Sequence, residues 1–262
     1  MIYVVFVNNS GQKSNIFENI LKNKEKITDN FLGSENLLKH IFLSENEKTM
    51  KRRYAAYFAL KFAYKKLFGE EMQIEFSKFG RPYIKGKSNI DISISHGKKI
   101  SLIAISCGEG KIGVDIEELI DGSRAGRINK RFLSSIKLPE KNISSEKISL
   151  MFLNLASDGE LLSEKFSSLS PLYISSDLSS EVGAGKFSLP RIETTDGEEK
   201  NNEEKTTREW TQLEALLKAE GRGFGAYSKI SNISNLGKCS SYILNYEGDN
   251  SYISVAVFNS PD

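Results

Sequence analysis

Residues 90–117 read IDISISHGKKISLIAISCGEGKIGVDIE, and this stretch decides the fold. From Ile90 to Ser95, isoleucines alternate with polar residues, which is the period-two pattern of a β-strand with one polar face. Gly97-Lys98-Lys99 predicts a turn, and Ile100 to Ser106 predicts the returning strand. A second glycine-containing turn then leads into a third strand, Ile112 to Glu117. The centre of the chain is therefore predicted to be rich in β-structure.

A long helical pattern precedes this block, from about Glu45 to Phe68, with basic residues at its start and Gly69 as its stop signal. The apolar residues 1–7 predict a first β-strand, and Met72–Phe76 predicts another. Together with the block at 90–117, these patterns predict an α+β fold.

The C-terminal part also contains a helical pattern and strand patterns. A helix is predicted from near Arg208 to Glu220, where Gly221-Arg222-Gly223 ends it. Two final strands are predicted at Ser240–Tyr246 and Tyr252–Phe258, joined by a turn at residues 247–250.

Residues 138–207 differ in character from the rest of the chain. Their first half, Ile148–Phe166, has enough apolar residues to predict a helix, and their middle is rich in serine and glycine. The acidic and polar end, Asp196–Lys205, predicts a mobile loop.

The composition limits the function classes. Hydrophobic residues make up 39% and charged residues 27% of the 262 residues, which is typical of a soluble globular protein. With 36 basic and 34 acidic residues, the net charge of +2 does not predict a nucleic-acid partner. Cys107 and Cys239 lie far apart, which favours a reducing compartment. Because no apolar run approaches the roughly 20 residues of a membrane helix, we expect no membrane association and a cytoplasmic protein.

Two carboxylates end the third strand of the central block. On a strand, Val114 and Ile116 point to one face, and Asp115 and Glu117 to the other. Such an acidic edge can hold a hard cation such as Mg²⁺, which prefers oxygen ligands. The alternative is an acidic strand face that is simply solvated.

The second helix and the first hairpin each offer a further candidate group. Trp210, Glu214 and Lys218 follow one another at four-residue intervals and so share one helix face. The alternative is an ordinary surface salt bridge between Glu214 and Lys218. Ser95-His96 lies where a strand meets a turn, so that its side chains can reach a ligand. The alternative there is a histidine that caps the turn.

The order of these motifs resembles the surfactin-synthetase-activating type of 4′-phosphopantetheinyl transferase. The resemblance spans Arg53 to about Gly223, with a gap in the middle. In chain order the motifs are Gly80-Arg81-Pro82-Tyr83, Ile94-Ser95-His96, Gly113-Val114-Asp115-Ile116-Glu117, Arg131-Phe132-Leu133-Ser134 and Trp210-x-x-x-Glu214-Ala215-x-x-Lys218.

The resemblance implies roles for individual residues. Mg²⁺ would be held by Asp115, Glu117 and Glu214, and Glu214 would act as, or beside, the general base. Lys218 would contact the phosphates of coenzyme A, the substrate. Its binding site would be lined by Arg53, Arg81, Ser95 and His96. We expect Asp115 and Glu214 to lie on exposed polar faces.

The resemblance also implies a pseudo-dimer of two similar α+β halves, each a small antiparallel sheet with a long helix. We expect the coenzyme A half at residues 1–108 and the metal half at 109–262, with an inserted segment at about 138–207. The implied reaction transfers the 4′-phosphopantetheine of coenzyme A to a serine of an acyl or peptidyl carrier protein and releases 3′,5′-ADP. Such carriers serve fatty-acid, polyketide or nonribosomal-peptide synthesis.

Two features depart from the family pattern. Leu213 stands where the family usually has a lysine, and the spacing from Glu117 to Trp210 is longer than usual. Three alternatives therefore stay open. They are a short holo-carrier synthase that acts as a trimer, a degenerate homologue that binds coenzyme A or carrier protein without transfer, and an unrelated α+β binding module. The chain is too long for the first, and we expect a monomer.

Basic residues cluster after the acidic strand. Arg124, Arg127, Lys130 and Arg131 fall at i, i+3, i+6 and i+7, so a helix there would gather them on one side. The resemblance implies that the carrier is acidic around its serine, and a basic face beside the metal strand would steer it to the site. The alternative is a solvated basic face.

Overall fold

The computed structural model describes residues 1–8, 35–43, 46–139, 141–155, 161–168, 191–195, 201–221 and 237–258. In these residues the chain is a mixed α+β protein, as predicted. Its helices are α1 (Glu35–Phe42), α2 (Glu47–Phe68), α3 (Gly122–Arg131) and α4 (Asn202–Glu220), with 3₁₀ turns at Leu133–Ser135 and Ser145–Lys147. No described helix is long and apolar enough to cross a membrane.

The strands form two larger sheets and one small hairpin. They are β1 (Ile2–Asn8), β2 (Ile74–Phe76), β3 (Pro82–Ile84), β4 (Ile90–His96), β5 (Ile100–Cys107), β6 (Lys111–Glu118), β7 (Ile148–Leu155), β8 (Leu161–Ser168), β9 (Arg191–Thr194), β10 (Gly237–Tyr246) and β11 (Asp249–Phe258). One sheet has the order β4-β5-β1-β7-β8 and the other β6-β11-β10-β9, while β2 pairs with β3. Neighbouring strands are antiparallel except β1 and β7, which run parallel.

The two sheets pack face to face, and helices cover their outer faces. In β1, Val5 and Val7 face a core shared with α1 and α2, whereas Val4 and Phe6 face the four-stranded sheet. A third core lies between β10, β11 and the helices α3 and α4. The order of layers is therefore helix, sheet, sheet, helix.

The helix predicted over Ile148–Phe166 is wrong, because the described residues of this stretch belong to β7 and β8. In β7, Met151 and Leu153 face the α2 core, whereas Ile148 and Leu150 face the second sheet. A strand that is buried on both faces is apolar at almost every position, and its sequence lacks the alternation that marks a half-exposed strand. β7 and β8 belong to the predicted inserted segment, yet they extend the sheet of the first predicted half. The division at residue 108 stays a prediction.

Helix α4 begins six residues before the predicted start at Arg208. Asn201 caps it, since its Oδ1 accepts a hydrogen bond of 2.9 Å from the N–H of Glu204. Glu203 and Glu204 add favourable negative charge to the first turn. The predicted mobile loop, Asp196–Lys205, is therefore wrong at its end, which is helical. Its residues 196–200 lie outside the described residues.

The other predicted elements are confirmed with small shifts. Helix α2 begins at Glu47, behind an Asn46 cap, and ends at Gly69, whose φ of 70° suits glycine. The final strands are longer than predicted and are joined at Glu247-Gly248, where both residues have positive φ. Helix α3 covers the predicted basic cluster.

Candidate functional site

The polar face of β4 lies against β6, at the edge where the two sheets meet. Asp91 Oδ2 accepts a hydrogen bond of 2.7 Å from the N–H of Ile112, and Ser93 Oγ accepts one of 3.1 Å from the N–H of Val114. These side chains take the place of a neighbouring strand for the outer edge of β6. The alternation of polar residues in β4 thus reflects a buried joint between sheets, not a solvent-facing surface.

Arg81 closes one end of this joint. Its guanidinium pairs with Asp91 and donates a second hydrogen bond, of 2.8 Å, to the carbonyl of Ile112. Burial raises the pKa of Asp91, and the Arg81 charge opposes that rise. Arg81 is a predicted coenzyme A residue, and the contacts of its guanidinium in the structure are those of a structural ion pair.

Gly113 brings α4 down onto β6. A Cβ atom at this position would lie 1.8 Å from the carbonyl oxygen of Ala215 and 2.5 Å from the nitrogen of Ala219. Both atoms belong to the backbone and cannot turn aside. The glycine therefore permits the close contact that carries Glu214 and Lys218 over the carboxylates of β6.

Asp115, Lys218 and Ser95 meet at the other end of the joint, and we refer to them as the Asp115 cluster. Lys218 Nζ lies 2.6 Å from Asp115 Oδ1 and 2.9 Å from Ser95 Oγ, and the Ser95 hydroxyl donates to Asp115 Oδ1 over 2.8 Å. Asp115 is only 3% exposed. The prediction that it lies on an exposed face is wrong, because α4 covers that face of β6.

Glu214 and Glu117 flank the Asp115 cluster. The pKa of Glu214 is raised to about 8, mainly by burial and also by the charge of Asp115 and a hydrogen bond with that residue, while the charge of Lys218 opposes the rise. Burial also raises the pKa of Glu117, against the charge of Arg124, with which Glu117 forms an ion pair. Glu214 is half-buried, so it does not lie on the exposed face that the sequence predicted.

The three carboxylates offer the oxygen ligands that Mg²⁺ prefers, so the donor chemistry fits this ion. Two of them are already neutralised by basic residues, Asp115 by Lys218 and Glu117 by Arg124. Among the described residues, no three side chains of His, Cys, Asp or Glu are grouped as a ready metal site. The Mg²⁺ site stays a prediction.

His96 lies beside the cluster, at the start of the β4–β5 turn. Its Nδ1 shares a hydrogen bond of 3.0 Å with Ser101 Oγ across that turn. Its pKa is lowered to about 3, by burial first and then by the positive charges of Lys218, Arg53 and Arg52. His96 is therefore neutral at pH 7, and the positive charges around it oppose its protonation.

The basic residues of α2 supply this positive charge. Arg53 donates a hydrogen bond of 2.9 Å to the carbonyl of His40, at the end of α1. Arg52 Nε is buried and has no hydrogen-bond partner among the described residues. Sequence analysis assigned no site role to Arg52 or Asp91, and it placed Arg124 on the basic face of α3 but not beside Glu117. Only Asp91 had a usable signal, because it begins the polar alternation of β4.

Trp210 and Leu213 point into the third core. Trp210 is 7% exposed and packs on Phe132, with ring centroids 5.3 Å apart. Leu213 is fully buried. A lysine at its position would place a charge among apolar side chains, so packing accounts for this departure from the family pattern.

The basic side of α3 is exposed, as the spacing predicted. Arg124, Arg127, Lys130 and Arg131 all face solvent, while Ala125 and Ile128 face the third core. Asp121 caps the helix through its Oδ1, which accepts a hydrogen bond of 3.0 Å from the N–H of Arg124. This helix therefore presents positive charge next to the strand that carries Asp115 and Glu117.

No protein-family model matches this chain, and no curated protein is significantly similar to it.

Proposed function

We propose that the protein is a phosphopantetheinyl transferase that moves the phosphopantetheine arm of coenzyme A onto a serine of a carrier protein. The observation that supports this most is the Asp115 cluster. Its members come from three motifs far apart in the sequence, and they meet within 2.6 to 2.9 Å of one another. Those are the motifs on which the resemblance to the family rests.

The distribution of charge also favours this proposal. Lys218 pairs with Asp115, and its charge, like those of Arg53 and Arg52 of α2, lowers the pKa of His96. A substrate with several phosphates, together with a divalent cation, would balance both groups of charges. Coenzyme A has a pyrophosphate and a separate 3′-phosphate, which suits this arrangement.

In the proposed reaction, the carrier serine hydroxyl attacks the β-phosphorus of coenzyme A. A new phosphorus–oxygen bond forms to the serine, and the bond to 3′,5′-ADP breaks. Glu214, in its ionised form, takes the serine proton, and Lys218 binds the pyrophosphate oxygens and stabilises their charge. Mg²⁺, when bound, would offset negative charge on the pyrophosphate. Ser95 holds Asp115 in place, whereas Arg53 and His96 line the coenzyme A site.

We also propose the two-half architecture of the family. Helix α2 packs on the five-stranded sheet and α4 on the four-stranded sheet, and each ends at a glycine with positive φ, Gly69 or Gly221. The proposed site lies where β4 of one sheet meets β6 of the other. Joints between two such units are frequent ligand sites.

A carrier-protein partner suits the exposed face of α3. Three of its residues, Arg127, Lys130 and Arg131, lie on the solvent side, and α3 carries no acidic residue. An acidic carrier would approach this face and bring its serine towards Glu214. In this proposal the enzyme acts as a cytoplasmic monomer.

One observation favours the degenerate homologue instead. Asp115 and Glu117, two of the three proposed metal ligands, are engaged in ion pairs with Lys218 and Arg124. A protein in which these pairs never open would bind coenzyme A or carrier protein without transfer.

The test is incubation with coenzyme A, Mg²⁺ and a panel of apo carrier proteins, followed by intact-mass measurement. We expect at least one carrier to gain one phosphopantetheine group, and a chelator to prevent this. Glu214→Gln should slow transfer by at least about 10²-fold, because it removes the proton acceptor. Glu118→Gln is the matched control, since Glu118 pairs with Lys98 away from the cluster. A panel without any modified carrier, in a protein that binds coenzyme A, would favour the degenerate homologue.

A further inference from the structure

Lys218 holds a position against Asp115 that a metal ion would also need. The ammonium lies 2.6 Å from Oδ1 of a carboxylate whose side chain is 4% exposed, although the lysine side chain itself is 32% exposed. Ser95 Oγ provides a second acceptor at 2.9 Å. The lysine is thus directed at the buried carboxylate and not towards water.

Two cations cannot share this carboxylate oxygen without strong repulsion. Mg²⁺ binds oxygen ligands at about 2.0–2.1 Å, which would bring the ion within a few ångströms of the ammonium. Asp115 can therefore serve the metal through Oδ1 only after Lys218 has moved from it. A displaced ammonium needs another anion, because leaving an ion pair of this kind without compensation is costly.

We propose that Lys218 is a built-in counter-ion, which neutralises Asp115 until the phosphates of the substrate draw it away and the metal takes its place. The inference rests on the proposed function, in which Mg²⁺ and coenzyme A are used together. Coenzyme A then strengthens Mg²⁺ binding, and Mg²⁺ strengthens coenzyme A binding by the same factor. The protein alone discriminates against the free ion.

The experiment is calorimetric titration of Mg²⁺ into the protein, with and without coenzyme A. In Lys218→Met the counter-ion is absent, so Mg²⁺ alone should bind about tenfold more tightly than in the wild type. The increase in Mg²⁺ affinity caused by coenzyme A should be smaller in the variant. Lys98→Met is the matched control. Lys98 also pairs with a carboxylate of β6, that of Glu118 at 3.4 Å, but this pair lies on the surface. Its Mg²⁺ affinity should equal that of the wild type.

If Lys218→Met does not fold, Lys218→Gln replaces it, since the amide removes the charge and can still form hydrogen bonds with Asp115 and Ser95. If the neutral variant binds Mg²⁺ no more tightly than the wild type does, the counter-ion role is overturned. A wild type that transfers the arm and gives this result keeps the proposed function and loses only the inference. A wild type that binds no Mg²⁺ under either condition and modifies no carrier overturns both.

Discussion

The two ends of the joint between β4 and β6 carry the same kind of ion pair in different surroundings. At one end, Arg81 pairs with Asp91, and the backbone of Ile112 accepts a hydrogen bond from Arg81 and donates one to Asp91. At the other end, Lys218 pairs with Asp115 and Arg124 with Glu117, and Glu214 is a third carboxyl group, whose pKa is raised to about 8. The first end is electrically balanced within the described residues. The second has an excess of carboxylates, which is what a cation-dependent site needs and a structural joint does not.

The largest expected effect comes from the same substitution made at both ends. Asp115→Asn should lower phosphopantetheine transfer by at least about 10²-fold, because it removes a charge that the reaction uses. Asp91→Asn should retain transfer per folded molecule and lower the free energy of unfolding by about 1–3 kcal/mol, since the Ile112 N–H and Arg81 lose an ionised acceptor. Rates corrected for folded fraction, with urea unfolding, measure both. Equal losses of transfer in the two variants would remove the distinction between the ends.

A second pair of variants tests what holds α4 over β6. Gly113→Ala should lower the free energy of unfolding by about 3 kcal/mol or more, because the new methyl group would collide with the α4 backbone. Gly126→Ala is the control in the exposed part of α3, where a Cβ would meet nothing within 4 Å. It should be neutral or stabilise by up to about 1 kcal/mol. Similar unfolding curves for the two variants would show that α4 does not depend on close contact at Gly113.

The titration of His96 gives a pH-dependent effect of intermediate size. Its pKa is about 3 in the folded protein and 6.5 in the absence of burial, so between these values only the unfolded chain takes up the proton. The stability that neutral His96 provides is complete above pH 6.5 and is lost as the pH falls towards 3. His96→Asn should reduce the acid-side slope of unfolding free energy against pH, by up to about 1.4 kcal/mol per pH unit. If the slope between pH 6 and about pH 4 does not change, the pKa of His96 is not lowered by burial.

The smallest effect concerns the exposed side of α3. Reversing Arg127 and Lys130 to Glu should raise the Michaelis constant for the carrier and weaken the dependence of the rate on salt, because rim charges act mainly on association. The affinity for coenzyme A should not change. A double variant that modifies the carrier as efficiently as the wild type at low salt would make this a solvated face without a role.

Local signals predicted the elements that local residues determine. The glycine stop at Gly69 and the alternation in β4 each act within one element, and both were read from the sequence, whereas the Asn46 cap was not. The predictions were wrong where the structure of a segment depends on packing against residues that are distant in the sequence. Strand β7 is apolar at almost every position because it is covered on both sides. Its parallel partner, β1, is about 140 residues away in the sequence, since Ile2 pairs with Ile148.

The candidate site shows the same limit. The sequence indicated Asp115, Glu214 and Lys218 as members of one group, and the structure brings these three together with Ser95. It gave no indication that Asp115 is buried, because the cover comes from α4, which is far along the chain. Nor did it separate Arg81 from the group, since the partner of Arg81 is set by the joint between the sheets.

The central claim is that the Asp115 end of the joint binds Mg²⁺ and coenzyme A together, and thermal unfolding tests it most directly. Ligands raise the melting temperature only when they bind the folded state. We predict that Mg²⁺ and coenzyme A together raise the melting temperature of the wild type by more than the sum of their separate effects. In Asp115→Asn this excess should vanish, while Asp91→Asn should keep it. A wild type whose melting temperature does not respond to the two ligands together, or an excess that survives in Asp115→Asn, would contradict the account.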